Sequence, residues 1–174
     1  MLMTVSKLRE YVDTSLTDSV LGDRLRALET LIRSYTHNNF QIRGIRSQSE
    51  IMDGFISNPP AHLKSGDTIQ ISESLLNNGL YTVTEISESG AATDTELIDC
   101  TKNLITKVSY PPDVIMGAVN MIKWDLNYRD KTGIQSETIS RHSVTYFNMD
   151  GDNSVAGYPK SLLGFLTPYK KARF

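Results

Sequence analysis

From Asp23 to Tyr35 the apolar residues Leu25, Leu28, Leu31, Ile32 and Tyr35 recur at steps of three and four, which gathers them on one helical face. Arg24, Arg26, Glu29 and Arg33 fall largely on the other face. Val5, Leu8 and Val12 repeat the spacing more briefly, so a short helix comes first, and Asp18 or Ser19 can cap the next helix near Val20. The pair predicts a helical hairpin. After the polar stop His37-Asn38-Asn39 the period changes, and Phe40 to Arg46 alternates apolar and charged residues as a half-buried strand does.

From there to Val108 the pattern predicts strands alone. Thr68 to Ser72 and Leu80 to Ile86 both alternate, and Leu75-Leu76-Asn77-Asn78-Gly79 between them supplies residues that tolerate positive φ in a turn. Shorter strands are expected at Ile51 to Ile56, Glu96 to Cys100 and Leu104 to Val108, separated by Pro59-Pro60, Lys64-Ser65-Gly66-Asp67 and Ser89-Gly90-Ala91-Ala92. So many short strands in so short a span suggest a small barrel or sandwich.

Pro111-Pro112-Asp113 then opens a second strong helix, because proline suits the first turn and aspartate complements the helix dipole there. Its residues Val114, Ile115, Ala118, Val119, Met121, Ile122 and Leu126 are apolar round much of its circumference, with a C-cap expected at Gly133. A helix of that kind is a core element. Ile134 to Ser140 reads as a loop or helical turn, Arg141 to Asn148 as a strand, Asn148 to Gly157 as a turn-rich loop, and Lys160 to Tyr169 as a last helix broken near Pro168. The tail Tyr169 to Phe174 is basic and reads as flexible.

The expected fold class is therefore α+β: a small bundle of about four helices carrying an inserted small antiparallel β-barrel or sandwich. Residues 1–39 and 109–174 form the helical part and residues 40–108 the insertion, whose ends near Phe40 and Val108 must lie close together.

Composition narrows the function classes. In 174 residues, 18 Lys and Arg stand against 20 Asp and Glu, so the net charge of −2 points to neither a nucleic-acid binder nor a polybasic membrane anchor. Cys100 is the one cysteine; it excludes an internal disulfide framework and reads as a small buried strand residue. Met1 to Glu10 turns polar too soon for a signal peptide, and no stretch approaches the roughly 20 apolar residues of a membrane span. The expectation is a soluble protein made in the cytoplasm.

Catalytic and metal chemistry find little support in the residue spacing. His37, His62 and His142 lie in unrelated contexts, and no phosphate-cradling or nucleophile-elbow motif occurs. Asp150-Gly151-Asp152-Asn153-Ser154 places oxygens like a calcium loop, but Val155 stands where the sharp turn demands glycine and Ser161 where a bidentate glutamate should close the site. No catalytic, cofactor or metal residues are assigned, and no enzyme is expected. Arg24, Arg26, Arg33, Arg43 and Arg46 could line a nucleic-acid face, but Asp23 and Glu29 dilute it and no aromatic residues are interleaved for stacking.

Several motifs stand in an order that resembles the head-tail connector, or adaptor, proteins of long-tailed bacteriophages. They are Leu28 to Thr36 closing the first long helix, Pro112-Asp113-Val114 opening the second, Ser136-Glu137-Thr138-Ile139 leading into His142-Ser143-Val144-Thr145-Tyr146, and Tyr158-Pro159-Lys160. Ser140 and Arg141 depart from the family pattern, in which aspartate and glycine are common at those positions. The likeness covers about residues 5–40 and 110–170 and leaves the β insertion outside it. It implies a virion protein of the neck between capsid and tail: a ring of about twelve copies beneath the portal protein, with a tail-side completion or terminator protein on its other face. DNA would pass through the channel without sequence-specific binding, and no membrane would be involved.

On that pattern the portal-docking residues would be Tyr158, Pro159, Lys160, Leu162, Leu163, Phe165, Tyr169, Lys170, Lys171, Arg173 and Phe174. Arg26, Arg33, Tyr35, Trp124 and Tyr128 would meet the neighbouring subunit. Two rival readings remain open: a tail-completion or neck protein binding on the tail side, and a small-barrel module binding a ligand or nucleic acid.

Overall fold

A computed structural model of the chain describes residues 1–129, 136–139, 142–145 and 152–172, the stretches 136–139 and 142–145 by their backbone. The protein is mixed α and β, as the change of period predicts. It divides into two compact units, one of Met1–Thr4 with Asn39–Tyr110 and the other of Val5–Asn38 with Pro111–Phe174.

The helical unit begins with α1 (Val5–Arg9) and α2 (Asp18–Thr36). Leu21, Leu25, Leu28 and Ile32 of α2 are buried, the stripe that the spacing predicts. Each such side chain stabilises by about 1.5–3 kcal/mol relative to exposure. Thr17, rather than Asp18 or Ser19, is the N-cap and accepts from the Val20 N–H. Asp18 is engaged instead by Arg9, which donates to it at 2.6 Å and to the Leu16 carbonyl at 2.8 Å, tying the two helices' connection. Glu29, expected on the polar face, is buried. His37 ends α2 in the left-handed conformation at φ 51°, its N–H directed to the carbonyls of the last turn.

Helix α3 (Pro112–Tyr128) starts on the expected proline pair, with Val114, Ala118, Val119, Met121 and Ile122 buried. Gly133, the expected C-cap, lies outside the described residues. The C-terminal helix spans Lys160–Tyr169 as expected but is a 3-10 helix. With roughly three residues per turn, such a helix eclipses every third side chain. That aligns Lys160, Leu163, Leu166 and Tyr169 in one row, of which Leu163 and Leu166 are buried.

The second unit is an antiparallel barrel. Its strands are β1 (Gln41–Met52), β2 (Phe55–Ile56), β3 (Thr68–Ser72), β4 (Gly79–Ser87), β5 (Gly90–Thr93) and β6 (Cys100–Val108). The ladder runs β1-β2-β5-β4-β3-β6 and closes on β1. β3 pairs with β4 through Ile69↔Tyr81 and with β6 through Ile69↔Lys107. Ile51, Ile56, Ile69, Ile71, Val83 and Ile105 fill the interior. Lys107 Nζ meets Asp67 Oδ2 at 2.5 Å in a half-buried ion pair beside it. The neck closes where Gln41 pairs with Val108 and the Ser109 N–H donates to the Phe40 carbonyl at 3.0 Å. Met1–Thr4 belongs to this unit: the Met1 nitrogen donates to Thr68 Oγ1 at 2.7 Å and Leu2 is buried.

Three strand expectations change. Ile51 to Ile56 is not one strand but a hairpin, in which β1 ends at Met52 and β2 folds back to pair Ile51 with Ile56. Glu96 to Asp99 is not a strand, and β6 starts at Cys100 and runs unbroken. Ser89-Gly90-Ala91-Ala92, expected as a separator, contains β5 instead. A Cβ on Gly90 would lie within 2.3 Å of the Ile56 carbonyl oxygen, so glycine here marks a close backbone approach between strands.

Past α3, β7 (Ser136–Ile139) pairs antiparallel with β8 (His142–Thr145) through Ser136↔Thr145, where a loop or helical turn had been expected before residue 140. β9 (Ser154–Val155) pairs with β10 (Tyr158–Pro159). Ala156 at φ 51° and Gly157 at φ 77° turn that hairpin, both left-handed as the tightest hairpin turns require. Among the described residues no helix is long and apolar enough to cross a membrane.

Candidate docking surfaces

In the helical unit, α3 presents Trp124, Asp125, Tyr128 and Arg129 on successive turns, and the β9–β10 hairpin delivers Tyr158 to them. The Tyr158 hydroxyl donates to Asp125 Oδ2 at 2.6 Å, and Arg129 Nε donates to Asp125 Oδ1 at 2.5 Å. The Arg129 guanidinium lies 4.7 Å from the Tyr158 ring centre, and the Trp124 and Tyr158 rings sit 5.5 Å apart. Burial first, and then the hydrogen bond to Asp125, push the Tyr158 phenol far above its usual pKa. Burial opposes the Arg129 charge, but the Asp125 carboxylate more than offsets it and leaves that pKa raised. A phenol held neutral and a carboxylate with two donors form a clamp between α3 and the β9–β10 hairpin.

The 3-10 helix continues the same surface. A Cβ on Gly117 of α3 would lie 2.2 Å from the Phe165 ring, so only glycine leaves room for it. The Tyr169 hydroxyl donates to Asp113 at 2.8 Å, and Asn38 Nδ2 donates to the Tyr169 carbonyl at 3.2 Å. Lys170 Nζ stands 4.0 Å from the Tyr35 ring centre, and the Lys171 N–H donates to the Thr36 carbonyl at 2.8 Å.

The segment expected to dock is therefore folded onto α2 and α3 as far as Lys171 and is not a free tail. Tyr158 and Leu163 are buried, so their side chains serve the unit's own core. Pro159, Leu162, Phe165 and Tyr169 are half-buried, and Lys160, Lys170 and Lys171 are exposed. Arg173 and Phe174 lie outside the described residues. Of the expected subunit contacts, Arg26 and Tyr128 are exposed and Arg33, Tyr35 and Trp124 half-buried. Arg24, Arg26 and Arg33 belong to the helical unit and Arg43 and Arg46 to the barrel.

Beside the Asp125 clamp runs a groove of about 300 Å3 along α2, lined by Arg24, Ala27, Leu28, Leu31 and Arg129.

The barrel unit carries a surface that the sequence pattern did not single out. Between β3 and β4, the Ser74 hydroxyl accepts the N–H groups of Leu76 (3.3 Å) and Asn77 (3.0 Å). The Asn77 side chain donates to the Ile98 carbonyl at 2.7 Å and accepts its N–H at 2.9 Å. Asn78 Oδ1 accepts the Ser74 N–H at 3.0 Å. Glu73, at φ 55°, is the left-handed residue of this turn; neither Asn77, Asn78 nor Gly79 is. The outcome inverts the usual rule: Ser74 and Asn77 are buried, while Leu75 is 84% and Leu76 55% exposed.

Met52 and Ile98, each 57% exposed, enlarge the apolar patch, and Leu75, Leu76 and Met52 line a groove of about 450 Å3. Cys100 also lines it, half-buried at the head of β6 and not fully buried as expected. Backbone hydrogen bonds at Lys102 and then Leu75 lower its thiol pKa. The signal that could have revealed the patch is two adjacent leucines flanked by turn-forming Ser74 and Asn77.

Among the described residues no three His, Cys, Asp or Glu side chains are grouped to hold a metal ion. No protein-family model matches the chain, and no curated protein matches it in sequence.

Proposed function

We propose that the chain is a structural subunit of a bacteriophage neck, a head-tail connector that assembles as a ring beneath the portal and offers its other face to a tail protein. One observation carries the reading. The motifs resembling the connector family occupy about residues 5–40 and 110–170, two stretches far apart in sequence, and a single compact unit comprises Val5–Asn38 and Pro111–Phe174. The part outside the likeness is the separately closed barrel. An insertion that is compact in itself and whose neck residues are adjacent leaves its host fold undisturbed.

Lys160, Lys170 and Lys171 are the portal-facing side chains in this reading, because they are exposed on a segment otherwise held rigid by Tyr158, Phe165 and Tyr169. A rigid cationic ledge docks with less ordering cost than a free tail. In the rival reading of a small-barrel module that binds a ligand or nucleic acid, apolar side chains occupy the barrel interior and leave only its outer surface for such a site.

The test is native mass spectrometry of the purified chain, alone and mixed with a portal ring from the same virion. A ring, or about one copy bound per portal subunit, is expected. Lys170→Glu with Lys171→Glu should weaken attachment at least tenfold without unfolding the chain. A monomer that leaves the portal ring unoccupied overturns the proposal.

A further inference from the structure

The Ser74–Asn78 turn spends its polar side chains on internal hydrogen bonds and holds two leucines in water, where their apolar surface contributes nothing to the isolated chain's stability. Among the side chains lining its groove are two carboxylates, Glu50 and Asp99, and no cation. The groove along α2 has the opposite character: Ala27, Leu28 and Leu31 form an apolar floor, and two guanidiniums, Arg24 and Arg129, outnumber the single carboxylate of Asp125. One surface is a rigid apolar projection with an anionic border; the other is an apolar recess with a cationic border.

We propose that these surfaces recognise each other between copies: the Leu75-Leu76 turn of one chain seats in the α2 groove of the next, with Glu50 and Asp99 facing the Arg24 side. The contact is heterologous, since each copy offers a different patch to each neighbour, and such a contact repeats into a ring or an open filament. Burying Leu75 and Leu76 supplies the apolar gain, and the opposed charges fix which face meets which. The inference deepens the ring reading above by naming the subunit contact, and it rests on that reading only for the closure of the ring.

Disulfide trapping tests it even where association is weak. In a Cys100→Ser background, one chain carries Leu75→Cys and a second carries Ala27→Cys, both at exposed positions where folding should be unaffected. On mild oxidation of an equal mixture, the heterodimer should exceed both homodimers several-fold. Arg24→Glu in the Ala27→Cys chain should lower that yield roughly fivefold, the range expected for a border ion pair, and Asp99→Arg in the other chain should restore it. A heterodimer no more abundant than the homodimers overturns the proposal. Trapping by a chain that never attaches to a portal would keep this contact and sink the connector reading; portal attachment without trapping would do the reverse.

Discussion

The C-terminal segment and the Ser74–Asn78 turn invert each other. Tyr158 to Lys171 has the composition of a sticky, basic, aromatic tail, yet its apolar residues are packed: Leu163 and Leu166 are buried and Phe165 lies over Gly117. The turn has the composition of an ordinary hairpin connection, yet it buries Ser74 and Asn77 and exposes Leu75 and Leu76. The difference lies in where backbone groups find partners. In the turn, Ser74 and Asn77 satisfy the N–H and carbonyl groups that a tight connection leaves open, so they must face inward and the leucines cannot. In the C-terminal segment the 3-10 backbone pairs within itself, with Asn38 capping the Tyr169 carbonyl, and its three-residue turn lines up a row of every third residue that packs inward. Apolar content alone therefore does not say which surface is offered to a partner.

The contrast can be broken most severely from the packed side. Leu166→Ala should cost about 2–5 kcal/mol of unfolding free energy in a urea titration, because it opens a cavity under the 3-10 helix. A free tail would lose almost nothing. Tyr158→Phe should cost about 1.5–3 kcal/mol, since it removes a hydrogen bond to the buried Asp125 carboxylate. Asn77→Ala should cost about 1–3 kcal/mol by leaving the Ile98 N–H and carbonyl without their partners. Hydrogen exchange at Ile98 would accelerate alongside it.

Alkaline pH separates the helical unit's clamp from the rest. The folded state holds the Tyr158 proton more tightly than the unfolded chain, whose phenol titrates near its ordinary value of 10.0. Above that pH the unfolded state binds fewer protons than the folded one, so stability is full below about 10 and falls as pH rises further. Tyr158→Phe should flatten that decline; an equally steep decline in the variant would detach it from the clamp. The smallest effect belongs to the turn itself. Leu75→Ser should change stability by less than about 0.5 kcal/mol, because the side chain is already in water. A larger loss would mean that Leu75 is a core residue of its own chain and would remove the contrast.

The regular elements were legible because each rests on a local period. The stripe of Leu25, Leu28 and Ile32, the proline start of α3, and the bounds of β3 and of the Lys160–Tyr169 helix all follow from spacing and turn chemistry. β5 was hidden because Gly90-Ala91-Ala92 carries no strand signature; only the Ile56 backbone pressed against Gly90 explains it. The N-cap falls at Thr17, ahead of the expected Asp18 or Ser19, and Asp18 in the first turn is engaged by Arg9 instead.

Taken by itself, the sequence determined the α+β class, the long helices and the point at which a β segment interrupts them, since these depend on periodicity and on breakers within a few residues. Only the tertiary structure decided that the ladder closes from β6 back to β1, that Tyr158 to Lys171 packs on its own chain, and that two leucines are left in water. Those outcomes depend on which distant backbone and polar groups need partners, and a one-dimensional pattern carries no record of that need.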